Sequence, residues 1–238
     1  MKAMILAAGM GTRLQPLTLT RPKALVEVKG IPLLELVIKR LMKYGFTDIV
    51  INVHHFSDQI TNFLRAKNNF GANIQLSDET DLLLDTGGGL LKARHLLDDG
   101  QPFLVHNVDI ITDFNLTDLY NSHLEHCPIA TMAVKDRSTS RSLLINSNQE
   151  LAGWRNNLTG ETIVSRGNLE ELTPTAFSCV HVLSPEIFKL INETGVFSIM
   201  KTYLRLAREH SIKTWNHNDS VWMDVGSIEN LREAEKLI

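Results

Sequence analysis

The chain has 238 residues, 43% of them hydrophobic, with 24 basic and 27 acidic side chains and a formal net charge of −3. That length allows one large domain or two small ones, and the acidic balance argues against a general nucleic-acid binder while leaving room for a local basic pocket around a small anion. No apolar run approaches the ~20 residues that span a bilayer, so no membrane partner is expected. Cys127 and Cys179 are too few for a disulfide framework, which makes a reducing cytoplasm the expected location.

Residues 4–8 are small and apolar and read as a buried first strand. A signal peptide would need a longer apolar core before Arg13 and Lys23. Residues 32–44 predict a helix, with Leu33, Leu34, Val37, Ile38 and Leu41 at helical spacing and Gly45 as its stop. A second strand over 48–53 is followed by a helix that Ser57 can cap, carrying Ile60, Phe63 and Leu64. A third strand is expected over 73–77, a short helix over 88–97 and a fourth strand over 103–107. Residues 115–126 read as a helix and 129–134 as a strand.

After Lys135 the pattern changes. Residues 142–145 and 150–155 flank Asn146-Ser147-Asn148-Gln149 as a hairpin, and 156–172 reads as loop. A strand is predicted over 175–183, and helices over 185–191 and 198–210. Residues 222–225 form a short apolar run, and Ser227 caps a last helix with Leu231, Ala234 and Leu237 on one face. The alternation predicts an α/β fold: a Rossmann-like, mostly parallel central sheet with helices on both faces and a small β-rich subregion in the second half. One domain over 1–238 is expected, divided near residue 135. Ligands of such sheets collect at the carboxyl ends of the strands.

The loop Gly9-Met10-Gly11-Thr12-Arg13 follows the first strand, where two glycines let backbone N–H groups approach an anion. The third glycine of a dinucleotide fingerprint is missing, since Leu14 stands there, and no Gly-Lys-Ser/Thr follows. Arg13 and the Lys23 of Arg21-Pro22-Lys23 supply a guanidinium fork and a compact ammonium, a pair suited to polyphosphate. Asp109 ends an apolar strand, and Asp224 sits in Trp222-Met223-Asp224-Val225-Gly226. Acids embedded in apolar runs cost free energy unless paired or bound to metal, and two carboxylates with phosphate oxygens and waters make a common Mg²⁺ ligand set. The run Asp85-Thr86-Gly87-Gly88-Gly89 allows a base or ribose to pack on backbone.

Taken in order, these motifs resemble those of the sugar-1-phosphate nucleotidyltransferases: Gly9-Met10-Gly11-Thr12-Arg13-Leu14, Pro22-Lys23, Thr86-Gly87-Gly88, Asp109 and Trp222-Met223-Asp224-Val225-Gly226. The resemblance covers nearly the whole chain. It is strongest toward short bacterial members without a C-terminal β-helix, such as the N-acetylmuramate-1-phosphate uridylyltransferases, and short mannose- and heptose-1-phosphate guanylyltransferases are also similar. The resemblance implies transfer of a nucleoside monophosphate from an NTP, UTP or GTP, to a sugar 1-phosphate, with release of pyrophosphate. It implies Mg²⁺ on Asp109 and Asp224, Arg13 on the leaving pyrophosphate and Lys23 near the α-phosphate. Ala7, Ala8, Gly9, Gly11, Thr12, Asp85, Thr86, Gly87 and Gly88 are then expected around the nucleotide, within 1–135. Asn107, Ser178 and Cys179 are expected at the sugar, whose part is 136–238 together with the second metal ligand. A monomer or homodimer is expected, and uridine with an amino-sugar-type acceptor is the preferred pair.

Three positions depart from the family pattern. Val108 replaces a glycine before the acid, Cys179 stands where a glycine often lines the sugar pocket, and Asp85 replaces a glycine beside the base. Arg155 or Arg166 is a candidate for the sugar phosphate, and His54-His55 for an approach to the ligand; each also reads as ordinary surface polarity. The nucleophile, a phosphate monoester oxygen, is mostly ionised at neutral pH and requires no general base. Two other classes are weighed. A nicotinamide dehydrogenase needs the missing glycine and an acid ending the second strand, which here ends Asn52-Val53-His54. An inactive nucleotide-sugar sensor would keep the pocket and lose the chemical groups, yet Arg13, Lys23, Asp109 and Asp224 are all present.

Overall fold

The computed structural model describes residues 1–236. Leu237, expected on the last helix, lies outside them. The first half comprises β1 (Lys2–Leu6), a two-stranded ribbon of β2 (Glu27–Val28) and β3 (Ile31–Pro32), α1 (Leu33–Lys43), β4 (Asp48–Val53), α2 (Ser57–Ala66), β5 (Asn73–Asp78), α3 (Asp85–Lys92) and α4 (Arg94–Leu97). It continues through β6 (Phe103–Asn107), β7 (Ile110–Thr112), α5 (Leu116–His126) and β8 (Ala130–Lys135). The second half holds β9 (Arg141–Ile145), β10 (Leu151–Asn156), β11 (Thr162–Val164), β12 (Thr173–Leu183), α6 (Ile187–Leu190), α7 (Ile199–Leu206), β13 (Ile212–Asn216), β14 (Trp222–Asp224) and α8 (Ile228–Ala234).

The main sheet runs β11-β10-β9-β12-β6-β1-β4-β5, with β8 paired to β12 and β13 to β8. Strands β6, β1, β4 and β5 are parallel, and β12 joins β6 antiparallel. Side chains alternate across the pleat. On β1, Ala3 and Ile5 enter one core and Met4 the other; on β4, Ile49 and Ile51 take the first side and Val50 the second. The first core is closed by α1, α2, α5 and α8 through Leu34, Ile60, Leu119 and Leu231. The second is closed by α3, α4, α6 and α7 through Leu90, Leu97, Phe188 and Tyr203. Helices on both faces follow directly from strands that are apolar on both faces. Leu6 is in register with Asn52 and with Asn107, so three strands end side by side. No helix among the described residues is long and apolar enough to cross a membrane.

Several elements differ from the sequence expectations, each for a local reason. The 156–172 segment is not all loop, because β11 extends the sheet beside β10. Gly153 permits that pairing: a Cβ there would meet the Ile163 carbonyl oxygen at 2.4 Å. β7 and β13 were not legible, being three and five residues long with mixed polarity. Ser57 is the first residue of α2 and does not cap it; Phe56 takes that place at φ 57° without a side-chain cap. Ser227 and Ser198 do cap, accepting from the N–H groups of Asn230 and Met200. Gly45, at φ +79°, ends α1 as expected.

Four histidines are enclosed in this fold. Burial pushes His106, His123 and His217 down to about 4 and His181 down to about 3. Each is therefore neutral in the folded chain at pH 6, whereas an unfolded histidine titrates near ~6.5. Below that value the unfolded state binds more protons than the native one, so stability falls as pH falls. Each unit of separation is worth ~1.4 kcal/mol per group, against a total stability of ~5–15 kcal/mol. The urea midpoint is expected to drop progressively between pH 6.5 and 5, above the carboxylate range. A midpoint that stays flat down to pH 5 contradicts this assignment.

Candidate active site

The loop after β1 is built on a few constraints. Ala7 donates its N–H to Asn52 Oδ1 at 2.7 Å, which ties the strand end to β4. Gly11 has φ +63°, and a Cβ there would meet Thr18 Cγ2 at 2.9 Å. Its carbonyl accepts from Leu14 N and from Thr18 Oγ1, both at 2.9 Å. The resulting 3-10 turn buries Leu14 and leaves Arg13 projecting with its side chain exposed. Pro22 is extended, at φ −66° and ψ 150°, and delivers Lys23 from below the loop.

The two acids are 115 residues apart in sequence and meet through a two-stranded ladder. Asp109 ends the turn after β6 and leads into β7, which pairs antiparallel with β14 so that Ile110 faces Asp224. Val225 N–H donates to the Asp109 carbonyl at 2.9 Å and extends that pairing by one residue. Lys23 Nζ donates to Asp109 Oδ2, and Arg13 Nη2 lies 3.5 Å from Asp224 Oδ2. Gly226 N–H donates to Asp224 Oδ1 at 2.7 Å. A Cβ at Gly226 would sit 2.5 Å from Arg13 Nη2, 2.7 Å from Asp224 Oδ1 and 3.1 Å from Asp109 Oδ2. The glycine thus keeps open the cradle between one cation and two carboxylates.

This quartet lines the smaller of two cavities, of about 630 and 880 Å³, which join at Asp224. Leu6, Thr86, Asn107, Cys179 and Asp224 line both. The smaller also takes in Ala8, Gly9, Arg13, Lys23, Asp85 and Asp109. Cys179 sits at φ +57°, within a register shift of the β12–β8 ladder between Phe177 and His181. Burial, then the carboxylates of Asp109 and Asp224, push its thiol up to about 12, which keeps it protonated at neutral pH.

Some expected residues lie elsewhere. Ser178 is fully buried on the opposite face of β12, with its hydroxyl on His217 Nε2 at 2.6 Å. Gly87 and Gly88 are inside α3, and both N–H groups donate to the Phe197 carbonyl. A Cβ at Gly87 would strike the Phe197 ring at 2.3 Å, and one at Gly88 the Gly195 carbonyl at 2.4 Å, so these glycines serve helix packing. Ala7 N–H is spent on Asn52, while Gly11 and Thr12 shape the turn without lining either cavity. Arg155 holds Thr162 and Arg166 pairs with Glu150 at 3.2 Å, both away from the cleft. His54 contacts the Glu79 carbonyl through Nδ1 at 2.6 Å and His55 is exposed.

Other lining residues escaped sequence reasoning. Glu79 is fully buried at the smaller cavity; it accepts from Asn52 Nδ2 at 2.7 Å and from Leu84 N–H at 3.1 Å. An acid just past β5 was the signal, invisible until β5 is known to neighbour β4. Arg137 stacks 3.7 Å over the Trp222 ring and donates to the Phe177 carbonyl at 2.9 Å. It lines the larger cavity with Arg141, Lys201, Arg205 and Arg208. Behind Arg205, Glu193 accepts from Nε and Nη2 at 2.9 Å.

An α/β sheet with acids and cations gathered at its strand ends defines an enzyme that handles phosphate esters. The profile of the nucleotidyl transferase family matches residues 2–238. An N-acetylmuramate alpha-1-phosphate uridylyltransferase of Neisseria meningitidis serogroup B is 35% identical over 240 residues, covering 100% of this chain and 98% of that one. Its counterpart in Caulobacter vibrioides is 34% identical, over 98% and 95%. Among solved structures, UDP-glucose pyrophosphorylase from Acinetobacter baumanii has the same fold, with a TM-score of 0.79 at 16% identity over 98% and 91% of the two chains. The chain belongs to the nucleotidyl transferase family, and it is an enzyme of the sugar-1-phosphate branch.

The Ser178 bond is one link in a buried chain. Ser220 Oγ donates to the His217 carbonyl at 2.7 Å, so it accepts from His217 Nδ1–H, and Nε2 accepts from Ser178. The chain fastens the segment leading into β14 to β12, as does Trp222 Nε1 donating to the Ser178 carbonyl. Ser178→Ala leaves His217 Nε2 unpaired and is expected to cost ~1–3 kcal/mol in urea unfolding without altering substrate preference. Cys179→Gly relieves a left-handed residue and is expected to hold stability within ~1 kcal/mol while changing which sugar phosphates are accepted. If instead Ser178→Ala changes the preference and Cys179→Gly does not, the facing of β12 is wrong.

Proposed function

We propose that the enzyme transfers the nucleoside monophosphate of UTP or GTP to an acidic sugar 1-phosphate, in a Mg²⁺-dependent, in-line displacement. The observation that carries this reading is a cavity lined by Arg13, Lys23, Asp109 and Asp224 that opens into a second cavity at Asp224, Asn107 and Cys179. The smaller cavity suits the nucleotide and the larger the acceptor. Asp109 and Asp224 present hard carboxylate oxygens around the Gly226 cradle, a donor set that fits a small divalent cation. Among the described residues no third histidine, cysteine or acid joins them, which agrees with a metal that completes its shell with water and phosphate. When bound there, Mg²⁺ would supply positive charge at the α-phosphate.

The chain's own groups do the remaining work. Arg13, exposed on its turn, can swing from Asp224 to grip the leaving pyrophosphate with two parallel N–H bonds. Lys23 steadies charge at the α-phosphate from beside Asp109. Ala8, Gly9, Asp85 and Thr86 border the nucleoside, and Asn107 and Cys179 border the sugar. No general base is required, because the attacking oxygen is already ionised. Catalysis is then positioning and charge stabilisation.

The choice of UTP is supported by the two uridylyltransferase relatives, and GTP by the resemblance to short guanylyltransferases. Glu79, fully buried with each oxygen bonded, stiffens the wall of the smaller cavity. The choice of acceptor follows from charge. Arg141, Lys201 and Arg208 stand with Arg137 in the larger cavity, against the acids Glu161 and Asp224, while Arg205 is already paired with Glu193. A sugar bearing a second anion suits that wall, and the N-acetylmuramate 1-phosphate named for the two relatives is one. The reaction belongs to the cytoplasm, in a monomer or homodimer, with no nucleic-acid or membrane partner.

Pyrophosphate release with four NTPs against charged and uncharged sugar 1-phosphates, with and without Mg²⁺, tests the reading. UTP or GTP with N-acetylmuramate 1-phosphate is expected to lead, and to need the metal. Lys201→Ala and Arg208→Ala together are expected to cut the preference for the acidic over the uncharged acceptor about tenfold, in the range of one or two charge-assisted hydrogen bonds. No release with any pair defeats the reading; equal use of neutral sugars by the wild type defeats the acidic-acceptor part alone.

A further inference from the structure

His181 lies on β12 at the centre of the sheet, between Val105 of β6 and Met132 of β8. It is only 2% exposed, yet it lines the larger cavity together with Phe177 and Cys179 of the same strand. No hydrogen bond reaches either ring nitrogen, and Nδ1 is fully enclosed without a partner. Its ring meets Tyr203 of α7 edge-on, at 5.7 Å and 88°. The Tyr203 hydroxyl is likewise enclosed and unpartnered. Unpaired buried polar groups cost ~1–3 kcal/mol each, and phenylalanine would fill either space without that cost. Such groups in a native fold call for an explanation.

We propose that His181 is a specificity-determining contact in the acceptor cavity, hydrogen-bonding an uncharged hydroxyl or amide substituent of the sugar. The inference rests on the acceptor reading of the larger cavity given above. Two residues of strand separate His181 from Cys179 at the cavity junction, roughly 7 Å. A sugar whose phosphate lies at that junction has the imidazole within reach of its ring along β12. Arginine and lysine elsewhere in the cavity serve anionic groups, whereas a neutral imidazole offers one donor and one acceptor. Burial keeps His181 neutral, down to about 3, so it neither competes for the anion nor acts as a base at neutral pH. Nδ1 is enclosed by protein, so the contact falls to Nε2, where a hydroxyl, which both donates and accepts, satisfies either tautomer.

His181→Phe keeps the ring volume and removes both nitrogens; His181→Gln keeps a hydrogen-bonding head. KM and kcat are measured for N-acetylmuramate, N-acetylglucosamine, glucose and mannose 1-phosphates, and separately for the NTP. His181→Phe is expected to lower kcat/KM for the preferred acceptor about tenfold, the effect of one lost hydrogen bond, with the NTP KM within about twofold. His181→Gln is expected to recover most of that loss. A folded His181→Phe with unchanged acceptor kinetics, or one that impairs NTP and acceptor alike, overturns the proposal. Should His181→Phe fail to fold, ¹⁵N NMR of the wild-type imidazole decides: adding N-acetylmuramate 1-phosphate is expected to move the His181 ring-nitrogen resonances, and no movement overturns the contact. That reading is independent of turnover. A wild type that binds this sugar phosphate and moves His181 but releases no pyrophosphate defeats the functional reading and leaves the contact standing.

Discussion

The active cleft depends on one short antiparallel ladder, β7 against β14. Asp109 and Asp224 come from opposite halves of the chain, and this pairing brings them to one place. Two carboxylates held close repel, and burying either one alone is costly. Lys23 and Arg13 offset that repulsion by pairing with one acid each. The cations come from a loop whose shape is fixed by Gly11, and the space among the charged groups is kept by Gly226. Ladder, loop and glycines thus serve a single electrostatic arrangement. Within the chain these charges satisfy one another.

Around that arrangement the two halves of the molecule are built differently. The parallel strands β6, β1 and β4 end in line and set Asn107, Leu6 and Asn52 along one rim. The Ala7, Asn52 and Glu79 hydrogen bonds then link β1, β4 and the segment after β5 into one rigid wall. On the other side β12 passes from the parallel core into the β9–β11 extension, with a bulge at Cys179 where the cavities meet. Bulges re-aim side chains beside active sites, and this one turns a strand into a partition between two pockets. The Ser178–His217–Ser220 chain on its back fixes the partition to the strand that carries Asp224.

The central charges were legible because they break local rules: Arg13 among glycines, Lys23 after a proline, Asp109 and Asp224 inside apolar runs. The alternating core was legible for the same reason that it folds, since apolar residues on β1 and β4 face both ways. What failed needed knowledge of neighbours. Cys179 and Ser178 were both assigned to the sugar, although strand alternation allows only one of them to face it. Gly87 and Gly88 look like a ligand loop in sequence; Phe197 and Gly195, more than a hundred residues on, show them to be packing contacts. Arg137 and His181 carry no local signature, and the acid at Glu79 gains meaning only once β5 is known to neighbour β4. Their place is set by strand order and by the fold of α7 over the sheet.

The central claim is that Asp109 and Asp224 act as one unit at the reacting phosphate. A double-mutant cycle of Asp109→Asn and Asp224→Asn, read as kcat/KM for pyrophosphate release at saturating Mg²⁺, tests it most directly. Each single substitution keeps side-chain size and is expected to lose ~10²–10³-fold. If both act through one ion, the double variant loses little more than the worse single. Losses that multiply, or a single variant that stays near wild-type activity, would contradict the account.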